Sequence, residues 1–264
     1  MSLILKSPDL ALFGENEIDV DAISFNGTSS HIQYTNNFFK DTDMRYTEVG
    51  NAFTLSFWIK PVFSTAPNVD NFRIIDVRSG STLQVYSVLL ETDTSADQRL
   101  RIEYHDNNSN ILQMNTGFQT GIFTSGSWSH ILYSVKQQGG LSGDGLHQLY
   151  VNDAAVTFTD TDAGDISSTP IATTNTSIGK LEGSAGSQYD GCLSEVWMKD
   201  DYYDLSAESS RRRFISSNDK PVQLPASPLV YLKGTASTWA NTGSSDLGTQ
   251  TLNNITDCAD SPSD

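Results

Sequence analysis

Residues 53–61 read FTLSFWIKP, and their alternation decides the fold class. Phe53, Leu55, Phe57 and Ile59 recur at every second position, while Thr54, Ser56, Trp58 and Lys60 fill the opposite face. A period of two marks a strand with one face on a core, and Pro61 lacks the backbone donor needed to continue it. The same rhythm runs downstream through FRIIDVR (72–78), LQVYSVLLE (83–91), LRIEYH (100–105) and NILQMN (110–115), with short polar breaks between them. SWSHILYSVK (127–136) sets Ile131, Tyr133 and Val135 against Ser134 and Lys136. Upstream, residues 17–34 predict two strands around a turn at Asn26-Gly27. HQLYVNDAAVTF (147–158) predicts a hairpin turning at Asn152-Asp153, two residues that tolerate positive φ. TSIGKL (176–181) and YDGCLSEVWMKD (189–200) complete the strand set, and TDTDAGDISSTP (159–170) reads as a polar loop.

One helix is expected, at about 206–217. Ser206 suits its N-cap, Glu208 its positive end, and Phe214 and Ile215 offer a packing face. Arg211, Arg212 and Arg213 read as helix solvation and dipole pairing rather than as a phosphate patch. Pro221, Pro225 and Pro228 then break the chain. LVYLKG (229–234) predicts another strand, and STWANTGSSDLGTQTLNNITD (237–257) two more. Strands with one late helix imply an all-β fold, a two-sheet antiparallel jelly-roll β-sandwich with one short late helix and a C-terminal β extension. The expected division is 1–220, with its core at about 17–217, and a tail at 221–264 packed on the core or on a neighbouring subunit.

Bulk properties narrow the function. The 264 residues suit one large β domain, and 37% of them are hydrophobic. A net charge of −16 repels polyanions, so neither nucleic acid nor an anionic membrane is an expected partner. No run of about 18 apolar residues exists to span a bilayer, and the opening MSLILKSPDLALFG makes a poor secretion signal. Cys192 and Cys258 are too few for a disulfide framework; they form one bridge or remain two thiols.

The order of segments carries a resemblance. AISFNGTSSHIQY, FTLSFWIKP, GSWSHILYSVK, HQLYVND, TSIGK, YDGCLSEVWMKD and LSAESSRRRFI together resemble the laminin-G-like branch of the concanavalin A-like jelly rolls, over roughly residues 20–217. The ending, with Tyr-Leu-x-Gly, Asn-Thr-Gly and a terminal Ser-Pro-Ser-Asp, is similar to endings on laminin-G-like proteins of marine tailed phages. The resemblance implies a binding or display module more often than an enzyme. It points to a virion protein made in the host cytoplasm and displayed on the virion surface as a head decoration, head fibre or tail-associated protein. Its partners would be other virion proteins, further copies of itself and cell-surface glycan. A stand-alone carbohydrate-binding protein is the alternative.

Several residue sets carry candidate chemistry. Glu17-Ile-Asp19-Val-Asp21 is similar to the Glu-Ile-Asp-Ile-Glu of glucanases with this fold, whose outer carboxylates stand about 5–5.5 Å apart in retaining enzymes. Here Asp21 is one methylene short, and the motif precedes the opening strand, so a glycoside hydrolase using Glu17 and Asp21 is the lesser reading. GLSGDG (140–145) misses the spacing of a nucleophile elbow, and four scattered histidines lack metal-ligand spacing. A carbohydrate site needs an exposed aromatic platform. Trp58, on the polar face of its strand, and Tyr202 and Tyr203 in KDDYYD are the candidates. Calcium needs six to eight oxygens; Asp160, Asp162 and Asp165, with Asp153 and Asp190, are the candidate ligands. No other cofactor is expected.

Overall fold

The computed structural model describes residues 16–36, 52–63, 70–79, 83–93, 97–106, 109–136, 146–162, 174–181 and 187–264. They build two antiparallel sheets stacked face to face. The nine-stranded sheet runs β10 (Ala154–Ala155), β9 (Leu146–Val151), β8 (Ser129–Lys136), β3 (Ala52–Pro61), β13 (Asp190–Lys199), β1 (Ile23–Asn26), β17 (Thr256–Asp257). Alongside β13 it also holds β14 (Val230–Lys233), which pairs with β15 (Ala240–Asn241). The eight-stranded sheet runs β11 (Thr159–Asp162), β7 (Ser109–Asn115), β6 (Gln98–Asp106), β5 (Leu83–Thr92), β4 (Asn71–Ser79), β12 (Thr174–Ile178), β2 (His31–Tyr34), β16 (Gln250–Asn253).

The core lies between the sheets and is built by the alternation seen in the sequence. Phe53, Leu55, Phe57 and Ile59 of β3 face Ile75, Val77, Tyr86, Val88, Leu90 and Ile102 across it, all buried. Edge-to-face aromatic contacts join the layers: Phe53 lies 5.9 Å from Tyr86, and Tyr189 lies 5.7 Å from Phe72 and 5.6 Å from Phe25. The expected Asn26-Gly27 turn is present. Asn26 Oδ1 accepts from the backbone N–H of Thr28, Ser29 and Ser30 at 2.9–3.1 Å. Gly191, at φ 136°, is forced: a Cβ there would stand 2.3 Å from the Lys60 carbonyl oxygen. Asn152 and Asp153 turn the β9–β10 hairpin at φ 48° and 60°.

Two expectations need correction. The helix is α1, Glu208–Arg211 only; Ala207 caps it, and Ser206 instead bonds back to Asp204 Oδ1. One turn cannot stand alone, and the segment is held by Phe214, whose ring lies 5.1 Å from both Trp197 and Tyr203. The stretch read as a loop at 159–170 contributes β11, which pairs with β7. The tail at 221–264 packs on the core, one of its two expected placements: β14, β15 and β17 join the nine-stranded sheet and β16 the eight-stranded one. Val222, Leu224, Val230, Leu232, Trp239 and Leu247 from that tail are buried, and a Cys192–Cys258 disulfide ties it to β13.

Candidate functional site

Each sheet has one face on the core and one turned outward, and the two outward faces differ. That of the nine-stranded sheet is sealed. Leu132, Trp197 and Tyr231 lie beneath Tyr203, Leu205, Phe214 and Leu224, a second apolar cluster separate from the core. This overturns the reading of two aromatics as glycan platforms. Alternation sorted Trp58 onto the non-core face correctly, but there it is 3% exposed with its ring 4.7 Å from His130. Tyr203 is buried against Trp197 and Phe214 and donates its backbone N–H to Ser134 Oγ at 3.0 Å. Tyr202 is half-buried, and that burial raises its phenol above the ordinary value, with Asp204 adding to the rise.

His130 belongs to the same sealed face. Its Nε2 lies 2.8 Å from Ser56 Oγ, and its backbone N–H donates to Asn152 Oδ1 at 2.7 Å. Burial pushes its imidazole down to about 3, with Asp153 opposing. Glu195 occupies the bulge in β13 at φ 53°. Its carboxylate accepts from the Tyr231 hydroxyl, and burial raises it despite that bond.

Of the proposed calcium ligands, Asp153 and Asp190 do not come together. Both carboxylate oxygens of Asp153 are held by arginines, Arg211 Nε at 2.5 Å and Arg212 Nη2 at 2.7 Å. The two arginines thus anchor the covering segment to the β9–β10 turn. Asp190 opens β13, and β8 and β3 lie between it and β9, roughly 14 Å at strand spacing. Asp190 is raised by burial and by Asp70. Asp160 and Asp162 sit on β11, in the other sheet, and Asp165 lies outside the described residues. Among the described residues no three His, Cys, Asp or Glu side chains are grouped to hold a metal ion. The acid pair of the hydrolase reading lies on the segment ahead of β1. Glu17 is exposed, bridges Val222 and accepts from Asn218 Nδ2 at 3.0 Å; Asp21 is exposed ahead of β1.

The outward face of the eight-stranded sheet is polar. Strand register aligns Thr251, Gln33, Ser177, Asp76, Ser87, Glu103 and Gln113 in one row across seven strands. Ser177, Asp76 and Ser87 are fully buried, and Glu103 is 3% exposed. Four of the chain's eight arginines flank this row: Arg73, Arg78, Arg99 and Arg101. Arg78 Nε meets Asp76 Oδ2 at 2.7 Å, and Arg99 Nε meets Glu91 Oε2 at 2.7 Å. Arg101 reaches Glu91 at 3.4 Å and also pairs with Glu103, which accepts from Gln113 Nε2 and Ser87 Oγ. Charges so shielded persist only when paired.

Phe118 stands at the rim of this charged band. It is 41% exposed, and the Arg99 guanidinium lies 4.4 Å from its ring centre. Gly117 and Gly121, at φ 68° and 74°, shape the loop that holds it, with open space around both. Among the described residues it is the exposed aromatic ring, and the strand-based reading passed over it. Its signal was an aromatic in GFQTG, a polar stretch outside any alternation. The charged band had a signal too: Arg99, Arg101 and Glu103 fall at a period of two.

A stacked pair of antiparallel sheets around one core describes a jelly-roll β-sandwich. The chain belongs to the concanavalin A-like lectin/glucanases superfamily, whose laminin-G-type model matches residues 26–207. No curated protein matches its sequence. Among solved structures, a candidate carbohydrate-binding protein from Bacteroides ovatus is similar at 14% identity and a TM-score of 0.53, over 92% of this chain and 61% of that one. Tailspike protein 2 of an Escherichia coli O157:H7 bacteriophage is similar at 13% identity and a TM-score of 0.47, over 80% of this chain and 30% of that one. The CBM40 module of a Ruminococcus gnavus sialidase, bound to α2,3-sialyllactose, is similar at 10% identity and a TM-score of 0.46, over 70% and 93%. This chain therefore spans less than two thirds of the first two proteins, and identities this low speak for the fold alone.

Proposed function

We propose that the chain is a non-catalytic, surface-displayed adhesion module that contacts glycan through the outward face of its eight-stranded sheet. One observation carries this reading: Phe118 is an exposed ring at the rim of a face lined with amide, hydroxyl, carboxylate and guanidinium groups. A ring of that kind offers an apolar platform to a sugar, and the polar groups beside it supply orientation. The superfamily, and the description of the Bacteroides ovatus protein as carbohydrate-binding, agree with it. Each carboxylate of the band is engaged by an arginine, an arrangement suited to holding a ligand rather than to transferring a proton.

The more specific reading is a structural protein of a tailed-phage virion, at the head or the tail, docked on other virion proteins. It rests on the likeness of the chain's ending to those of phage laminin-G-like proteins. Copies repeated on a particle would turn a weak single site into firm attachment. The test is a broad glycan array, probed with calcium and with EDTA, using the wild-type protein and Phe118→Ala. Binding retained in EDTA and lost in Phe118→Ala is expected. A blank array, or binding indifferent to Phe118, contradicts the glycan reading; cleavage of an arrayed glycan contradicts the non-catalytic one.

A further inference from the structure

The two edges of the eight-stranded sheet differ in charge. β11 ends it on one side and carries Asp160 and Asp162; β16 ends it on the other and reads Gln250-Thr251-Leu252-Asn253. No charged residue stands between Asp246 and Asp257, in a chain of net charge −16. Natural sheets blunt their edges with charge, proline or a bulge, and β16 has none of these. Its position is nonetheless fixed. Thr35 donates its backbone N–H to the Thr249 carbonyl at 3.1 Å, Thr249 donates its own to Thr35 Oγ1 at 2.9 Å, and Gln250 Nε2 donates to the Trp239 carbonyl at 2.9 Å.

The register decides which backbone groups of β16 are free. Gln250 stands opposite Tyr34, Thr251 opposite Gln33, Leu252 opposite Ile32 and Asn253 opposite His31. In an antiparallel ladder only alternate residues turn their N–H and C=O to a given neighbour. The bond from Thr35 to Thr249 puts Thr249, Thr251 and Asn253 in the set that faces β2. Gln250 and Leu252 therefore turn one N–H and one C=O each toward the open edge. Among the described residues no backbone group pairs with them there. Thr251 and Leu252 are both exposed, Leu252 at 38%.

We propose that β16 is the docking edge for a second copy of the chain, paired antiparallel about a two-fold axis through Thr251. Gln250 of each copy then faces Leu252 of the other, and each of these pairs exchanges both of its N–H to C=O bonds. The edge is self-complementary: two free residues flanking one that bonds inward match their own reversal. Its lack of charge lets two strongly acidic chains meet without opposed carboxylates. The axis stands perpendicular to the sheet, so the two eight-stranded sheets become continuous. Their outward faces, each with its own Phe118, then look the same way, which places two copies of that face before one surface. The pairing itself does not depend on what those faces bind.

The contact is small, so association in the micromolar range or weaker is expected. Sedimentation equilibrium of the full chain over a concentration series should show monomer passing into dimer. Leu252→Pro takes from the backbone only the N–H that faces the open edge, and it should abolish the dimer without lowering the melting temperature. Under mild oxidation Thr251→Cys should give a disulfide-linked dimer, because the two Thr251 positions stand about 4.5 Å apart across the axis. Thr249→Cys should not: Thr249 faces Asn253 of the other copy, and the two Thr249 positions stand roughly 14 Å apart. A monomer at every concentration leaves the edge to a different partner and overturns the inference. A dimer that persists in Leu252→Pro, or equal cross-linking of the two cysteine variants, puts the contact elsewhere and overturns it too. Should Leu252→Pro fail to fold, Thr251→Lys, which opposes two like charges at the axis, takes its place. None of these readouts involves glycan, so this inference and the glycan reading fail separately.

Discussion

The two outward faces of this sandwich began from the same strand chemistry and ended differently. On the nine-stranded sheet the non-core face of β3 carries Thr54, Ser56 and Trp58, a mixture that reads as solvated, yet all three are buried. A segment after residue 200 brings Tyr203, Leu205 and Phe214 down onto Trp197, and paired Arg211 and Arg212 on Asp153 fasten it. On the eight-stranded sheet the corresponding face carries Asp76, Glu91 and Glu103 matched to arginines, with an exposed aromatic at the rim. A face sealed by aromatic packing serves stability. A face that keeps buried charge carries a desolvation cost, and such costs persist mostly where function needs them.

That contrast breaks if the sealed face tolerates damage or the charged face does not. The largest effect is expected from deletion of 221–264, which removes four strands and buried residues of both apolar clusters. No cooperative melt should remain by calorimetry; a soluble truncated chain with a sharp transition would make the tail a true appendage. Next is Trp197→Ala, which empties the centre of the covering cluster. It should cost about 3–5 kcal/mol in denaturant titration, and a loss under about 1 kcal/mol would show the cover to be loosely packed. Reducing Cys192–Cys258, or Cys258→Ser, releases a link across a sequence separation of 66. A loss of about 2–4 kcal/mol is expected for a closure of this kind.

A pH-dependent effect is expected at His130. In the folded chain burial holds its imidazole down to about 3, whereas in the unfolded chain it titrates near its ordinary value of 6.5. The unfolded state thus takes up the proton first. Stability is complete above about pH 6.5 and falls as pH drops toward 3, by at most about 1.4 kcal/mol per unit. His130→Gln should flatten that acid limb in melts at pH 4 to 7; an unchanged slope would mean that another group sets it. Smallest of all is Phe118→Ala, expected within about 0.5 kcal/mol of wild-type stability while glycan binding is lost.

How much of this the sequence disclosed depends on where the information resides. Strand β3 was legible because Phe53, Leu55, Phe57 and Ile59 repeat at a period a single strand makes visible. The β9–β10 turn was legible from Asn152-Asp153 for the same local reason. Features that depended on partners were not. Nothing local to Trp58 announces that residues beyond 200 will cover its sheet, and a helix pattern at 206–217 collapsed to one turn because packing, not propensity, shapes that segment. Asp153 looked like a metal ligand until two arginines almost 60 residues later took both its oxygens. The pairing of Cys192 with Cys258 likewise required that β17 lie beside β1, which lies beside β13. The charged row needed the register of seven strands before Gln33, Asp76 and Glu103 could be seen as neighbours.

The central claim is that ligand meets the charged face and not the sealed one. Hydrogen–deuterium exchange of the protein, with and without its best array glycan, tests this directly. Added protection should concentrate in 71–79, 98–106 and 113–121, leaving 200–228 unchanged. Protection confined to 200–228, or to the β9–β10 turn, would place recognition on the other sheet and contradict the account.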